Sequence, residues 1–438
     1  MATARDLIRT NTGPQSGMVF SRDYAMSPFT AHGWSRSTNY STQKIEVTPT
    51  NSSLDAFGTT LEFRPAKNAD YYGFVCLQIP FTAVTPGSNY TFYRLTDFVG
   101  HHVINNISIQ HVSNILQRVD GSALNVVYRK NADFRKRHHW DPMLLGNLSH
   151  SDRRWLAAGA QVATVPLDGT LWFTYSTSAF VPVICLSQEL RILVTFNPLT
   201  QVLESDHTSG TPHCTISPVS IKGQTYNPAL VFLSSHVTGE ERNYQTKFYD
   251  ADGVMLPVKE YRLQPRQTIT AGSTGQIPIK LSSINAQISE IYFIIRRQND
   301  LTNNYAYRPN RTLTYVSCSF TGNGGVMIAD HTREYVNQRI REQYHSSLTS
   351  ENYCIGMLEV SWIPEDPINN TGSIHTGQIT DPTLYINIGT QAGDSEAFDV
   401  LNGSGPDSTT PENIVVDVFC DAFNWIHFVG GDANRLFN

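Results

Sequence analysis

Short runs of β-branched and aromatic residues follow one another almost from end to end of the 438-residue chain, with turn signals between them. Val103–Gln110 sets Ile107 and Ile109 on one face and Asn106, Ser108 and Gln110 on the other. Leu190–Phe196 is largely apolar, and Ile291–Ile295 is continuously so. Leu358–Trp362 and Leu384–Ile388 alternate cleanly, and Ile414–Phe419 is again strand-like. Alternation turns one face toward a core and the other toward water or a neighbour. The dipeptides Asp120-Gly121, Asp168-Gly169, Asp252-Gly253 and Asn323-Gly324 offer the positive φ that tight hairpin turns require. Many short strands with such turns predict an all-β chain, folded as a sandwich or jelly roll.

Two segments break the pattern. Ser122 is placed to cap a helix running through Arg129, with Leu124, Val127 and Tyr128 on one face. Asp330 or Thr332 is placed to cap a second, with Val336, Ile340 and Tyr344 at i, i+4 and i+8. One helical insertion therefore falls in each half. Between the halves, Pro198–Asn227 is rich in Gly, Pro, Ser and Thr and has no sustained period. This sets the expected division: an N-terminal arm over 1–25, a first sandwich over 26–198, a linker over 199–227 and a second sandwich over 228–438. No direct sequence repeat is visible, so a duplicated fold is suggested by the layout alone.

Composition removes several function classes. Aromatics reach 11% while charged residues are only 16%, the reverse of what disorder needs. A net charge of −6 supplies no electrostatic footprint for wrapping nucleic acid, so direct nucleic-acid binding is not expected. The one basic cluster, Arg135-Lys136-Arg137-His138-His139, reads as a solvated loop or helix end. Cys76, Cys185, Cys214, Cys318, Cys354 and Cys420 are far apart, without a CxxC pair, and most lie in apolar surroundings. They read as buried free thiols rather than disulfides or metal ligands. The first ten residues lack the apolar core of a signal peptide, and no run is long and apolar enough to span a bilayer. Synthesis in a reducing cytosol is the simplest expectation, and the Asn-x-Ser/Thr triplets, such as those at Asn39 and Asn402, are then incidental.

Signals for chemistry are scarce. There is no GxSxG, HExxH or P-loop, and Gly322-Asn323-Gly324-Gly325 reads as a turn. Glu365-Asp366, held between Pro364 and Pro367, reads as an exposed loop rather than an acid/base pair. The pairs His101-His102 and His138-His139 lack an identifiable third metal ligand, and adjacent residues on a strand point to opposite faces. No catalytic, cofactor-binding or metal-binding residue is assigned, and the chain reads as a structural or binding protein, not an enzyme.

Three segments resemble the major capsid proteins of large icosahedral DNA viruses of eukaryotes, the nucleocytoplasmic large DNA virus group and its relatives. Ser27-Pro28-Phe29-Thr30, with Ser35-Arg36-Ser37-Thr38-Asn39-Tyr40-Ser41, is similar to the family's early motif and keeps Arg36, Thr38, Asn39 and an aromatic at Tyr40. Val99-Gly100-His101-His102-Val103-Ile104, leading to Asp120-Gly121, resembles the family's Val-Gly-His-x-Leu-Ile strand before a helix. Trp425–Gly431, running on to Leu436-Phe437, resembles its last strand and glycine-rich tail. Fainter likenesses lie at Leu171-Trp172-Phe173 with Leu186–Leu190, and at Phe232-Leu233 with Glu240-Glu241-Arg242, the latter taken as the opening of the second jelly roll. Ser35 replaces the motif's first arginine, Tyr40 its phenylalanine, and Arg135–Arg154 has no family counterpart; these departures bear on lineage more than on fold.

The resemblance implies two consecutive eight-stranded jelly rolls, a double jelly roll, in a major capsid protein that forms pseudo-hexagonal homotrimers tiling an icosahedral shell. It implies minor capsid, penton and cement proteins and an internal membrane as further partners, a virion location and assembly in the host cytoplasm. The arm over 1–25 is expected to face the interior, and the loops Thr302–Arg311 and Gly393–Pro411 to form outer or inter-trimer contacts. A minor capsid or spike protein of similar fold is the alternative; a carbohydrate-active jelly-roll enzyme, which would need paired carboxylates across a cleft, is a more distant one.

Overall fold

The computed structural model describes residues 18–20, 34–36, 40–51, 55–85, 93–131, 134–167, 170–174, 181–205, 213–251, 253–270, 273, 275–298, 301, 312–344, 349–350, 353–359, 373–388 and 413–436. Apart from residues 18–20 within it, the arm expected over 1–25 lies outside these, as do both long loops and Glu365-Asp366.

Eight strands make the first roll: β1 (Tyr40–Val47), β2 (Thr60–Phe63), β3 (Tyr71–Phe81), β4 (Ile104–His111), β5 (Asn114–Asp120), β6 (Gln161–Pro166), β7 (Leu190–Phe196) and β8 (Ala229–Val237). They pair as two opposed antiparallel sheets, β1-β8-β3-β6 and β2-β7-β4-β5. The second roll is β9 (Val254–Leu263), β10 (Gln276–Lys280), β11 (Gln287–Arg297), β12 (Ser317–Gly322), β13 (Gly325–Thr332), β14 (Gly356–Glu359), β15 (Thr383–Asn387) and β16 (Ile414–Val429), with β17 (Asp432–Arg435) folded back on β16. Its sheets run β9-β16-β11-β14 and β10-β15-β12-β13. Each strand of the second roll thus occupies the place of the strand eight numbers earlier. The duplication that the sequence does not show is complete at the level of strand order.

This order corrects the seam drawn from composition. β8 lies beyond the expected linker, yet it pairs with β1 and β3 along its whole length. The stretch over 199–227 is the long connection between the seventh and eighth strands of the first roll, and it is itself held down by Leu203–Ser205 pairing with Tyr93–Leu95 and by bridges from Phe81 to Ile216 and Thr85 to His213. Phe232-Leu233 therefore closes the first roll instead of opening the second.

Both rolls carry their helical insertion between the fifth and sixth strands. In the first it comprises α1 (Gly121–Asn131), α2 (Phe134–Met143) and α3 (His150–Ala157). A further helix, α4 (Gly239–Ala251), joins the rolls, and α5 (Arg333–Tyr344) is the insertion of the second. Thr332 is the cap: its Oγ1 accepts from the Tyr335 N–H at 3.3 Å, while Asp330 stays in β13. Asn323-Gly324 is the two-residue β12–β13 turn, with φ of 54° and 74° as a type I′ turn demands. Asp120-Gly121 is no hairpin. Gly121 opens α1 where a Cβ would lie 1.9 Å from the Ile104 carbonyl oxygen, so glycine serves close packing there, not positive φ.

The core divides in two. Ile291, Phe293 and Ile295 of β11 point inward with Ile279, Phe320, Leu384 and Ile386 to fill the second roll. Tyr292 and Ile294, on the opposite face of the same strand, join a larger cluster continuous with the first roll's interior, which includes Phe63, Leu77, Ile107, Ile109 and Val194. A strand covered on both faces loses its polar alternation, which is why Ile291–Ile295 reads as an unbroken apolar run. Fully burying each such side chain stabilises by about 1.5–3 kcal/mol.

Candidate functional site

The seam between the rolls gathers a set of buried charged and polar side chains. α1 lies along the outer face of β11. Near its start Ser122 Oγ accepts from Arg296 Nη2 at 3.4 Å, and near its end Lys130 Nζ donates to both Glu290 carboxylate oxygens at 2.5 and 2.7 Å. Lys259 of β9 reaches Asp421 of β16 at 3.4 Å, and the Tyr292 hydroxyl donates to Glu290. All four charged groups are over nine-tenths buried. Gln117 of β5 cross-links the backbones, donating to the carbonyls of Thr170 at 3.1 Å and Lys259 at 2.7 Å while accepting from the Trp172 N–H at 3.0 Å. At the other end of the seam Asn114 donates to Asn434 at 2.6 Å, and the Ser187 N–H to the Gly431 carbonyl at 2.7 Å. Arg242 of α4 forms a two-pronged pair with Asp70 at 2.7 and 3.0 Å.

Burial and neighbouring charge set the protonation of this seam. Burial pushes the Glu290 carboxyl up, but the ammonium groups of Lys130 and Lys259 outweigh it and hold the group below its ordinary value. Burial raises Asp421, against the pull of Lys259 and with the push of Glu290. Interlocked pairs of this kind favour one relative placement of two domains, because sliding them would strand a buried charge. The arrangement is suited to holding an angle, not to turning over a substrate.

The histidines flagged by the sequence do not assemble a metal site. His101 and His102 sit on a helical turn, Val99–His102, both buried. Burial and then Arg129 bring His101 down to about 3, and burial, Arg296 and His101 hold His102 well below its ordinary value. His138 and His139 are exposed on α2, their rings edge to face, while Arg137 of the same helix is half-buried and donates to the Arg129 carbonyl at 3.1 Å. Among the described residues no group of three His, Cys, Asp or Glu is placed to hold a metal. All six cysteines are free; five are buried and Cys76 is half-buried. No described helix is long and apolar enough to cross a membrane. A small pocket lined by His331, Tyr335, Val336, Arg339, Met357 and Glu359 contains a single carboxylate, already paired with Arg339 at 3.3 Å.

Residues 30–234 match the family model described as the major capsid protein N-terminus. The chain has the double jelly-roll fold. No curated protein matches it in sequence. Its fold is similar to that of PBCV-1 VP54, at a TM-score of 0.67 and 11% identity over 92% of this chain and 98% of that one. It is likewise similar to the Faustovirus major capsid protein (TM-score 0.63, 12% identity, 96% and 94% covered) and to the mavirus major capsid protein (0.56, 10%, 98% and 97%). The buried seam holds the two rolls at a fixed angle to each other. Sequence reading missed Lys130, Lys259, Glu290 and Asp421. Charged residues inside strands were the available signal, since a solvated strand has no need to place Lys259 and Asp421 on one buried face.

Proposed function

We propose that this chain is a viral capsid protein, the major shell subunit of a large double-stranded DNA virus, and that it associates as a homotrimer. The strand order repeated in both rolls carries the reading. Three copies of a chain built from two equivalent rolls offer six similar lobes, a pseudo-hexagonal tile, and closed three-fold symmetry keeps that tile finite while weaker lateral contacts extend it into an icosahedral shell. On this reading the domains are the first roll to Val237, the α4 connection and the second roll from Val254. Six free thiols support synthesis in a reducing host cytoplasm. The arm over 1–25 is assigned to contacts with minor capsid proteins or an internal membrane, with penton and cement proteins as further partners; unchanged shell assembly after its deletion would remove that role.

Light scattering on the size-exclusion peak of the full chain, with electron micrographs of the same fraction, tests the subunit reading. Three times the chain mass with a hexagonal outline is expected. A persistent monomer, also when co-expressed with other proteins of its virion, would defeat it.

A further inference from the structure

Lys259 and Asp421 stand on the first and last strands of the second roll, β9 and β16, which pair along the whole of β9. Register sets Tyr261 opposite Asp421 and Phe423 opposite Lys259, so the two charged side chains are diagonal neighbours on one face. Lys259 Nζ lies 3.4 Å from Asp421 Oδ2 and 5.5 Å from the centre of the Phe423 ring. On the other flank of β16, Glu290 of β11 stands directly opposite Asp421. A lysine, an aspartate and a glutamate thus sit at one level of three neighbouring strands. Lys259 is 6% exposed and Asp421 2%. Asp421 Oδ1 is buried with no hydrogen-bond partner among the described residues. In the first roll β8, which takes the place of β16, carries no carboxylate, so that roll has no counterpart of the trio.

Burial at this depth favours neutral groups over charged ones. Moving one proton from the ammonium to the carboxylate gives an amine and a carboxylic acid and removes two buried charges. Asp421 is already raised by burial and by the charge of Glu290, against the pull of Lys259 and Lys130. The amine nitrogen then stands 3.4 Å from a carboxyl oxygen, with the carboxyl carbon one bond further on. Reacting groups held about 3–3.5 Å apart are in near-attack geometry.

We propose that Lys259 and Asp421 condense into an isopeptide bond that staples β9 to β16. The Lys259 ammonium first gives a proton to the Asp421 carboxylate, and the freed amine attacks Asp421 Cγ, forming the C–N bond. The Glu290 carboxylate takes a proton from that nitrogen and returns it to the departing hydroxyl. The C–O bond breaks, one water leaves, and Glu290 is restored. The product is a neutral amide, and the step consumes no oxidant, cofactor or net proton. The bond joins residues 162 positions apart in the chain. A cross-link of that span restricts the unfolded chain as a disulfide does, and it needs no oxidation in a protein whose six cysteines are free.

Intact-mass spectrometry of the folded full-length chain, after transfer to denaturant, reads the bond directly. The wild-type chain is expected to weigh one water less than its sequence. Protease digestion is expected to yield a branched fragment joining the Lys259 peptide to the Asp421 peptide. Asp421→Ala and Lys259→Arg chains are expected to keep their full sequence masses. Wild-type chain collected in denaturant before folding is expected to have the full mass and to lose the water only on refolding. Glu290→Gln, combined with Lys130→Met so that no ammonium is stranded, is expected to slow that loss by about 10²-fold or more. An unchanged rate in a variant that still melts cooperatively would remove Glu290 from the step. A wild-type chain that melts cooperatively yet keeps its full mass overturns the bond and leaves an ordinary buried ion pair. A water loss that maps to a succinimide at an Asp-Gly step such as Asp252-Gly253, with the Lys259 peptide unmodified, overturns it equally.

Discussion

Lys130 Nζ lies within hydrogen-bond reach of both carboxylate oxygens of Glu290, at 2.5 and 2.7 Å, and the two residues belong to different jelly rolls. The pair is 4% exposed at each end. It fastens α1 to β11, the strand whose opposite face builds the second roll's own core.

Removing one partner strands the other. Lys130→Met is expected to destabilise the chain by about 3–5 kcal/mol, the usual cost of leaving a buried charge uncompensated. The paired change Lys130→Met with Glu290→Leu is expected to recover most of that loss. Denaturant midpoints of the two single variants and the double variant measure it. A single-variant cost below about 1 kcal/mol would mean that the pair behaves as a solvated surface bridge.

Gly121→Ala tests the strand-to-helix junction. The added Cβ would sit 1.9 Å from the Ile104 carbonyl oxygen and 3.1 Å from that of His101, and backbone cannot move aside as a flexible side chain can. A loss of roughly 1–3 kcal/mol or more is expected, the scale of overpacking. Gly239→Ala at the start of α4 meets nothing within 4 Å and is the control, expected neutral or slightly stabilising. Equal denaturant midpoints for the two variants would contradict the packing account.

Much of this fold was legible from one sequence, and the part that was not has a physical cause. β7 has the bounds its largely apolar run predicts, because one of its faces is buried in the core and the other is half-covered. β16 runs for 16 residues, ten beyond the expected Ile414–Phe419. Asp421, Asn424 and His427 interrupt the pattern, yet Asp421 is paired with Lys259 and Asn424 donates to Glu260 at 3.0 Å. Buried polar pairs imitate a surface strand unless both partners are seen together. The seam at 199–227 failed for a related reason: loop composition is local, whereas the return of β8 to β1 and β3 is a pairing over more than 150 residues of chain. α3 did carry a readable signal, Ser149 followed by Asp152, and Ser149 Oγ accepts the Asp152 N–H at 3.2 Å. α2 did not, since its charged and aromatic residues form no apolar stripe.

Thr332→Ala removes the side-chain cap of α5 and is expected to cost about 1 kcal/mol, with Thr332→Ser close to wild type. Melting curves of the two variants decide it; identical behaviour would show that the Oγ1 bond contributes nothing.

The buried histidines make the fold sensitive to acid in a window set by their unfolded state. An unfolded histidine takes up a proton near pH 6.5. In the fold, burial and the Arg129 guanidinium bring His101 down to about 3, and burial with Arg296 keeps His102 well below its ordinary value. Below pH 6.5 the unfolded chain therefore binds more protons than the folded one, so stability falls as pH falls, by about 1.4 kcal/mol per pH unit for each such histidine. The full stability these groups allow is present above pH 6.5 and is lost progressively down to the lowered folded values. His102→Leu removes one of these uptake sites. It is expected to flatten the dependence of the denaturant-derived stability between pH 6.5 and 5 by about that slope, whatever its effect at pH 7.5. The raised carboxyls of Asp97 and Glu359 are common to both proteins and cancel in the comparison. A variant whose slope equals the wild-type slope would mean that His102 is protonated in the folded protein as readily as in the unfolded chain.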